Sequence, residues 1–329
     1  MPSSPNTLRW DGEPGHYEVY YLTTTDPESG IGLWIRYTMV AEVDKDPAWS
    51  LWFMATFPDA PAVARKLTVP AADWSGDPFR LAIAGAELTD RGMKGGFEDV
   101  AWDLHWEPGI TYEHVHPLLQ KAKIAKTVLC LPHADVAVHG TVTLPGGRTL
   151  ELSGCHGGQA HLWGSKHSLR WTWVHCGDFA DAATGESAAD TFIDGVSVFV
   201  PRFGREVGPS TPVVARILGE DFTATSPVAV LRAPSDFALT SWTLEVTSGK
   251  RRLSCEVDAP RDSLVGVTYT DPDGEKAYCY NSEVASMRVS VLDRASRGWA
   301  LRETLVSRGR AHFEYGQREP VPGMELHLT

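Results

Sequence analysis

Between His156 and Cys176 the chain crowds four of its twelve histidines and three of its twelve tryptophans around a glycine-rich turn, HGGQAHLWGSKHSLRWTWVHC. Indole faces hold apolar molecules and steady nearby positive charge, and imidazole is the side chain that exchanges a proton near neutral pH. Leu169 to Phe179 reads as a strand. Side chains alternate along a strand, so Trp171, Trp173 and His175 share a face with Leu169 and Phe179. Arg170, Thr172, Val174, Cys176 and Asp178 share the other. Such a face suits a cavity that holds a large apolar molecule beside one titratable group, without a cofactor.

The elements that position this stretch are also strands. Tyr17 to Thr24, Leu33 to Val43, Trp49 to Phe57, Val100 to Trp106, Asp135 to Leu144 and Thr149 to Cys155 alternate, are rich in Val, Tyr, Trp and Thr, and are separated by turn sequences such as DPESG and DKDPA. The second half continues with Thr191 to Val200, Val213 to Leu218, Val228 to Leu231, Leu239 to Thr247, Arg251 to Val257, Leu264 to Thr270, Ala277 to Leu292 and Trp299 to Tyr315. DPDG at 271–274 and TSGK at 247–250 read as hairpin turns, and Pro117 to Ile124 is the best candidate for a short helix. This pattern predicts an all-β fold of two tandem barrel-like or sandwich domains, 1–185 and 186–329, joined near the small, polar DAATGESAAD segment at 181–190. In Trp49 to Phe57 one face carries Trp49, Leu51, Phe53 and Phe57 while the other carries Trp52 and Met54. A strand apolar on both faces predicts a barrel packed on its outside against other structure and enclosing an apolar cavity.

Bulk composition narrows the partners. With 329 residues the chain has room for one large or two ordinary domains. A net charge of −12 argues against nucleic acid and anionic membrane surfaces, which select basic patches. No apolar run approaches the ~18 residues of a membrane span, and the first residues show no charged leader followed by an apolar core, so a cytoplasmic location is expected. The five cysteines include no C-x-x-C pair and read as buried free thiols. His114 and His116, two apart, could begin a metal site with His105, His133 or a distant carboxylate. Pro117 would end that strand at once, so a loop and no metal site are expected.

Gln159-Ala160-His161-Leu162-Trp163-Gly164, followed by Arg170-Trp171-Thr172-Trp173-Val174-His175-Cys176, resembles the Q-x-H-x-W-G…W-x-W-x-H-C signature of a lipocalin-like superfamily. Its members include carotenoid 1,2-hydratases, tocopherol cyclases, kievitone-type hydratases and decalin-forming Diels–Alderases. His16 to Tyr21 resembles the first strand of that group, with Tyr20 where Trp is common; Ala101 to Leu104 is similar to its W-D-L strand, and Tyr280-Asn281-Ser282-Glu283 to a polar motif of the second domain. The resemblance implies two lipocalin-like β domains and cofactor-free chemistry on an apolar isoprenoid or polyketide-like molecule. It equally allows a non-catalytic carrier of a lipid or other hydrophobic ligand, because fold alone does not fix function.

Adding water to an alkene, or closing a ring onto it, needs an acid, a base and a stabilised cation. Apolar burial keeps a carboxylic acid protonated, tryptophan faces stabilise the cation, and a neutral histidine takes the proton. The candidate bases are His175 and His161, and the candidate acids are Glu18, Asp103 and Glu283. Trp171, Trp173, Trp163 and Trp52 would form the wall, with Gln159, Tyr280 and Asn281 as polar handles for substrate. A pericyclic cyclase would need only shape and such handles. Structural roles compete at each position: His175 as a satisfied core histidine, the indoles as core filling, His161 and Gln159 as turn caps, Glu18 as an ion-pair partner of Arg36, and Asp103 as a strand-end acceptor.

Overall fold

The alternating segments form two sheets in a computed structural model that describes residues 4–115, 126–202 and 204–329. The first sheet begins with β1 (His16–Thr25), β2 (Gly32–Ala41), β3 (Ala48–Thr56) and β4 (Val63–Val69). It continues with β5 (Ala72–Gly76), β6 (Phe79–Ile83), β7 (Ala86–Thr89), β8 (Gly92–Phe97) and β9 (Val100–His105). It ends with β10 (Tyr112–Glu113), β11 (Thr127–Leu144) and β12 (Arg148–Gly164). The order across it is β4-β3-β2-β1-β12-β11-β9-β8-β7-β6-β5, with β10 on β11. Its end strands, β4 and β5, follow one another in the chain, and the sheet curls into a nearly closed barrel.

The second sheet opens with β13 (Arg170–Cys176), β14 (Ala180–Asp181), β15 (Phe192–Arg202), β16 (Arg205–Ser210), β17 (Val213–Ile217) and β18 (Glu220–Ala224). A short helix, α1 (Pro227–Arg232), leads to β19 (Ser235–Ala238), β20 (Ser241–Ser248), β21 (Arg251–Asp258) and β22 (Val265–Thr270). Two long strands, β23 (Lys276–Arg294) and β24 (Trp299–Gln317), and a short β25 (Leu326–Leu328) complete it. The fold is all-β and lipocalin-like, as the alternation predicts.

Three apolar cores follow from which way each strand face points. Tyr20, Leu22, Leu51, Phe53 and Trp102 fill the first barrel, and Val174, Trp242, Leu253 and Phe313 fill the second sheet's interior. Tyr17, Val19, Trp34, Trp52, Met54, Trp171 and Trp173 meet between the sheets. This explains β3: Leu51 and Phe53 face the barrel interior, Trp52 and Met54 the second sheet. Burying each such side chain contributes roughly 1.5–3 kcal/mol. The barrel interior is packed, so the expected internal cavity is displaced to the space between the sheets.

Other expectations change too. The chain switches sheets between Gly164 and Arg170, not near 185, because β13 pairs with β15 and β24. The 181–190 segment is a turn held on the second sheet, with Ala182 N–H donating to Thr304 O. Val228 to Leu231 lies in a helix, not a strand; Ser226 caps it through Ala229 N and Pro227 occupies its first turn. The Pro117 to Ile124 segment and His116 lie outside the described residues. All five cysteines are buried and unpaired. Among the described residues no helix is long and apolar enough to cross a membrane.

Candidate active site

A cavity of about 750 Å³ separates the two sheets. Val19, Tyr21, Leu129 and Leu162 line it from the first sheet, and Trp171, Trp173, Val196, Val198 and Tyr269 from the second. Arg36, His114, Lys126, Lys166, His167, Glu275, Glu314 and Arg318 are its titratable or charged groups. Trp171 and Trp173 reach the space because β13 sits mid-sheet with its odd-numbered residues facing outward. Two glycines make the fit possible. A Cβ on Gly316 would overlap the Trp171 ring, and one on Gly158 would overlap the His175 imidazole. Gly158 in the central motif thus lets a histidine of the second sheet lie on a strand of the first.

Asp194 is the hub of the deeper wall. It is fully buried on β15, opposite His175 in register. Trp173 Nε1 donates to its two oxygens at 3.2 Å, and His175 Nδ1 lies 3.1 Å from Oδ2. His114 Nε2 lies 2.9 Å from Oδ1. Burial alone would raise the carboxyl's pKa, but His114 and His175 outweigh it and hold Asp194 below its usual value, as a carboxylate. Neither ring nitrogen of His114 makes a hydrogen bond of good geometry among the described residues, so its 2.9 Å approach to Asp194 is a charge contact. An imidazole that turns its Nε2 proton toward Asp194 presents Nδ1 as an acceptor. Tyr21, edge-on to Trp173 at 5.5 Å, stays a neutral phenol because burial and the Asp194 and Glu314 charges raise its pKa.

The outer wall is a second network. Trp171 Nε1 donates to the Glu314 carboxylate. His167 is stacked between Tyr17 at 4.8 Å and Tyr269 at 5.1 Å, with Nδ1 2.6 Å from Asp271. Arg318 Nη1 donates to the other Asp271 oxygen at 2.6 Å. Burial opposes ionisation of Asp271, but His167, Arg318 and their hydrogen bonds prevail and its pKa is lowered.

The predicted residues divide. Trp171 and Trp173 are in the wall. His175 is corrected: it supports Asp194 and packs on Gly158, and does not line the cavity. Glu283 is buried but sits behind the wall, 2.5 Å from His312 Nδ1. Burial and the Glu314 charge push Glu283 well above its usual pKa, while burial and His175 push His312 well below, so the pair is neutral. Asp103 is corrected outright, because it faces solvent paired with Lys94 at 2.5 Å.

Glu18, His161 and Gln159 are gathered inside the first barrel, not at the cavity. Glu18 accepts from Arg9 N at 2.7 Å, Trp10 N at 3.0 Å and Tyr20 Oη at 2.9 Å, with His161 Nε2 at 2.7 Å and His16 Nε2 at 3.0 Å. Burial would raise its pKa, yet the His16 and His161 hydrogen bonds bring it to about 2. Gln159 exchanges hydrogen bonds with Asn6 at 3.1 and 3.2 Å. The expected Glu18–Arg36 pair is absent for a reason of parity. Arg36 stands opposite Tyr21 and Glu18 opposite Met39, which puts the two charges on opposite sheet faces.

Trp163 is half-buried against His161, outside the cavity wall. Trp52 donates to Thr38 Oγ1 at 2.9 Å beside a smaller pocket of about 180 Å³. Tyr280 lies in the second core, its hydroxyl accepting from Val321 N at 2.7 Å, and Asn281 is buried behind the wall with Nδ2 unpartnered. Sequence reasoning missed His114 as a proton carrier, and missed Asp194, Glu314, Tyr21 and Tyr269 altogether. Cross-strand register joins most of these, and register is not written in any one strand.

No family model matches the chain. The uncharacterized Mycobacterium tuberculosis protein Rv0493c of strain ATCC 25618 / H37Rv is 30% identical over 319 residues, covering 94% of this chain and 89% of its own. Its counterpart MT0513 in strain CDC 1551 / Oshkosh gives the same values. Among solved structures, CghA with Sch210972 superposes with a TM-score of 0.61 at 8% identity over 96% of both chains. Kievitone hydratase from Nectria haematococca gives 0.52 at 11% identity over 93% of this chain and 94% of its own. At such identities the likeness is one of fold.

Proposed function

The chain belongs to the family of the mycobacterial protein Rv0493c and has the lipocalin-like hydratase and cyclase fold, and from that premise we propose that it is an enzyme acting on a large apolar molecule held between its sheets. The reaction is hydration or intramolecular cyclisation driven by proton transfer. One observation carries this reading: His114, an imidazole 2.9 Å from the buried Asp194 carboxylate, stands in the wall of an aromatic cavity with neither ring nitrogen hydrogen-bonded among the described residues.

In this scheme the Trp171 and Trp173 faces hold the substrate and stabilise positive charge that develops on carbon. His114 Nδ1 takes the proton from the oxygen nucleophile, water or a substrate hydroxyl, as the new C–O bond forms. Asp194 stabilises the imidazolium that results and fixes the ring. Glu314, the carboxyl group on the wall, is the acid toward the alkene carbon when it carries a proton, and the proton that His114 receives restores it at the end of the cycle. Fold likeness to kievitone hydratase is consistent with hydration chemistry but does not choose the substrate.

Native mass spectrometry of the purified chain, followed by solvent extraction, tests the proposal. A co-purified apolar molecule is expected, and Trp173→Ala should lose it. If that molecule is processed by the wild type and equally by His114→Gln, the dyad has no catalytic part. If it binds to both and neither changes it, the protein is a carrier and the enzyme reading fails.

A further inference from the structure

The cavity contains a buried cation with no ion-pair partner among the described residues. Arg36 sits in the middle of β2, between Tyr21 of β1 and Trp52 of β3 in register, and is 6% exposed. Its guanidinium lies over the Tyr269 ring at 4.3 Å, with Trp34 at 5.3 Å and Trp52 at 5.8 Å. Its Nε has no hydrogen-bond partner, and no carboxylate among the described residues comes within the 4.0 Å of an ion pair. The same side chain borders both the 750 Å³ cavity and the smaller one of about 180 Å³ beside Trp52.

Guanidinium stays protonated in any protein environment. A buried, unpaired charge is costly, and aromatic faces recover only part of that cost. Of the cations that line the cavity, Arg318 is paired with Asp271 and Lys166 with Asp273 and Glu275, while Lys126 is exposed to solvent. Glu314, the wall carboxylate, is engaged by the Trp171 indole.

We propose that Arg36 anchors the head group of the ligand, and that this head is a singly charged, planar oxygen pair, a carboxylate, on an otherwise apolar molecule. The inference rests on the cavity being the ligand site. One unpaired guanidinium matches one carboxylate through two parallel N–H···O bonds. A diphosphate would bring more negative charge than this one unpaired buried guanidinium balances. With its head at Arg36, on the first sheet, the ligand's apolar body lies along Trp171 and Trp173. The acidic head and the reacting carbon are then separate parts of one molecule, and Arg36 is a binding residue, not a proton carrier.

Titration of the full chain with linoleic acid and with its methyl ester, followed by quenching of tryptophan fluorescence, tests this. The acid should bind at least about tenfold more tightly than the ester, the order expected for one charge-assisted pair. Arg36→Met should abolish the preference while ester binding persists, and Arg36→Lys should keep part of it. Equal affinity for acid and ester in the wild type, or an undiminished preference in Arg36→Met, overturns the anchor and leaves the cavity reading standing. Failure of both probes to bind overturns the cavity reading and the anchor with it. A second readout needs no ligand: Arg36→Met should raise the melting temperature of the free protein, since it removes an unpaired buried charge. A lower melting temperature together with unchanged acid binding would make Arg36 a scaffold residue.

Discussion

Glu18 with His161 and Asp194 with His114 are chemically the same pair, a buried carboxylate against a buried imidazole, at 2.7 Å and 2.9 Å. Their surroundings differ. In the first barrel Glu18 is contacted by five donors, and the second ring nitrogen of His161 lies 2.9 Å from Pro5 O. The N-terminal segment supplies Asn6, Arg9 and Trp10 as a plug over that cluster. Between the sheets Asp194 is contacted by three groups, Trp173, His175 and His114, and among the described residues His114 has no hydrogen-bond partner for either ring nitrogen and borders a cavity. A dense motif of polar residues therefore marks burial as readily as chemistry. Unused hydrogen-bonding capacity beside open space is what separates the two.

The largest effect should come from the open pair. His114→Gln is expected to lower turnover by roughly 10²–10⁴-fold, the usual worth of a positioned acid–base group. Its ligand affinity should hardly change, because the apolar wall remains. The matched substitution in the closed pair, His161→Gln, should lower the melting temperature and leave turnover per folded molecule intact. Steady-state kinetics on both, corrected for folded fraction, reads the contrast. Equal loss of turnover in the two variants would erase the distinction drawn between them.

Acid titration of stability separates the buried carboxylates next. Glu18 has a folded pKa of about 2 against an ordinary 4.5, so as pH falls the unfolded chain takes up its proton first. Its contribution of about 3 kcal/mol is fully present above pH 4.5 and is lost between there and pH 2. Glu283 has the opposite sign: with its pKa raised, its contribution is greatest below 4.5 and declines as pH rises. Its neighbour His312, held neutral, loses its contribution as pH falls through 6.5. Denaturant melts should therefore show Glu18→Gln flattening the acid limb and Glu283→Gln gaining stability relative to wild type toward alkaline pH. Parallel curves for the two variants would contradict these environments.

The sequence showed the fold class, the two-faced apolar strands and the tryptophan wall, because alternation and residue type are local. Trp171 and Trp173 could be placed on one face by counting. Which face met a cavity could not, since that depends on which neighbouring sheet lies opposite. Glu18 and Arg36 were matched by charge although their parity on β1 and β2 puts them on opposite faces, a relation that only the register Tyr21–Arg36 reveals. The signature itself straddles the division between sheets: its first half, around His161, builds the plugged barrel, and its second half, around Trp173, builds the cavity wall. The spacing of His114 to His116 suggests a metal ligand, whereas its actual partner, Asp194, is eighty residues away in the chain.

The smallest expected effect bears on how the two regions touch. His175 belongs to the second sheet, and its Nε2 is unpaired against Gly158 of the first. Gly158→Ala should push the imidazole back toward Asp194 and destabilise the protein by about 1–3 kcal/mol, the range for overpacking a close contact. On a His175→Ala background the same change has room for its methyl group, so most of that cost should vanish. Circular dichroism melts of the two single variants and the double variant close the cycle. Simple additivity would mean that Gly158 is glycine for some reason other than His175, and the contact would then say nothing about how the cavity wall is held. Strong coupling would identify it as the point where barrel and wall constrain one another. In that case Gly158→Ala should also reduce turnover through Asp194 and His114, since the carboxylate that steadies one imidazole also holds the other.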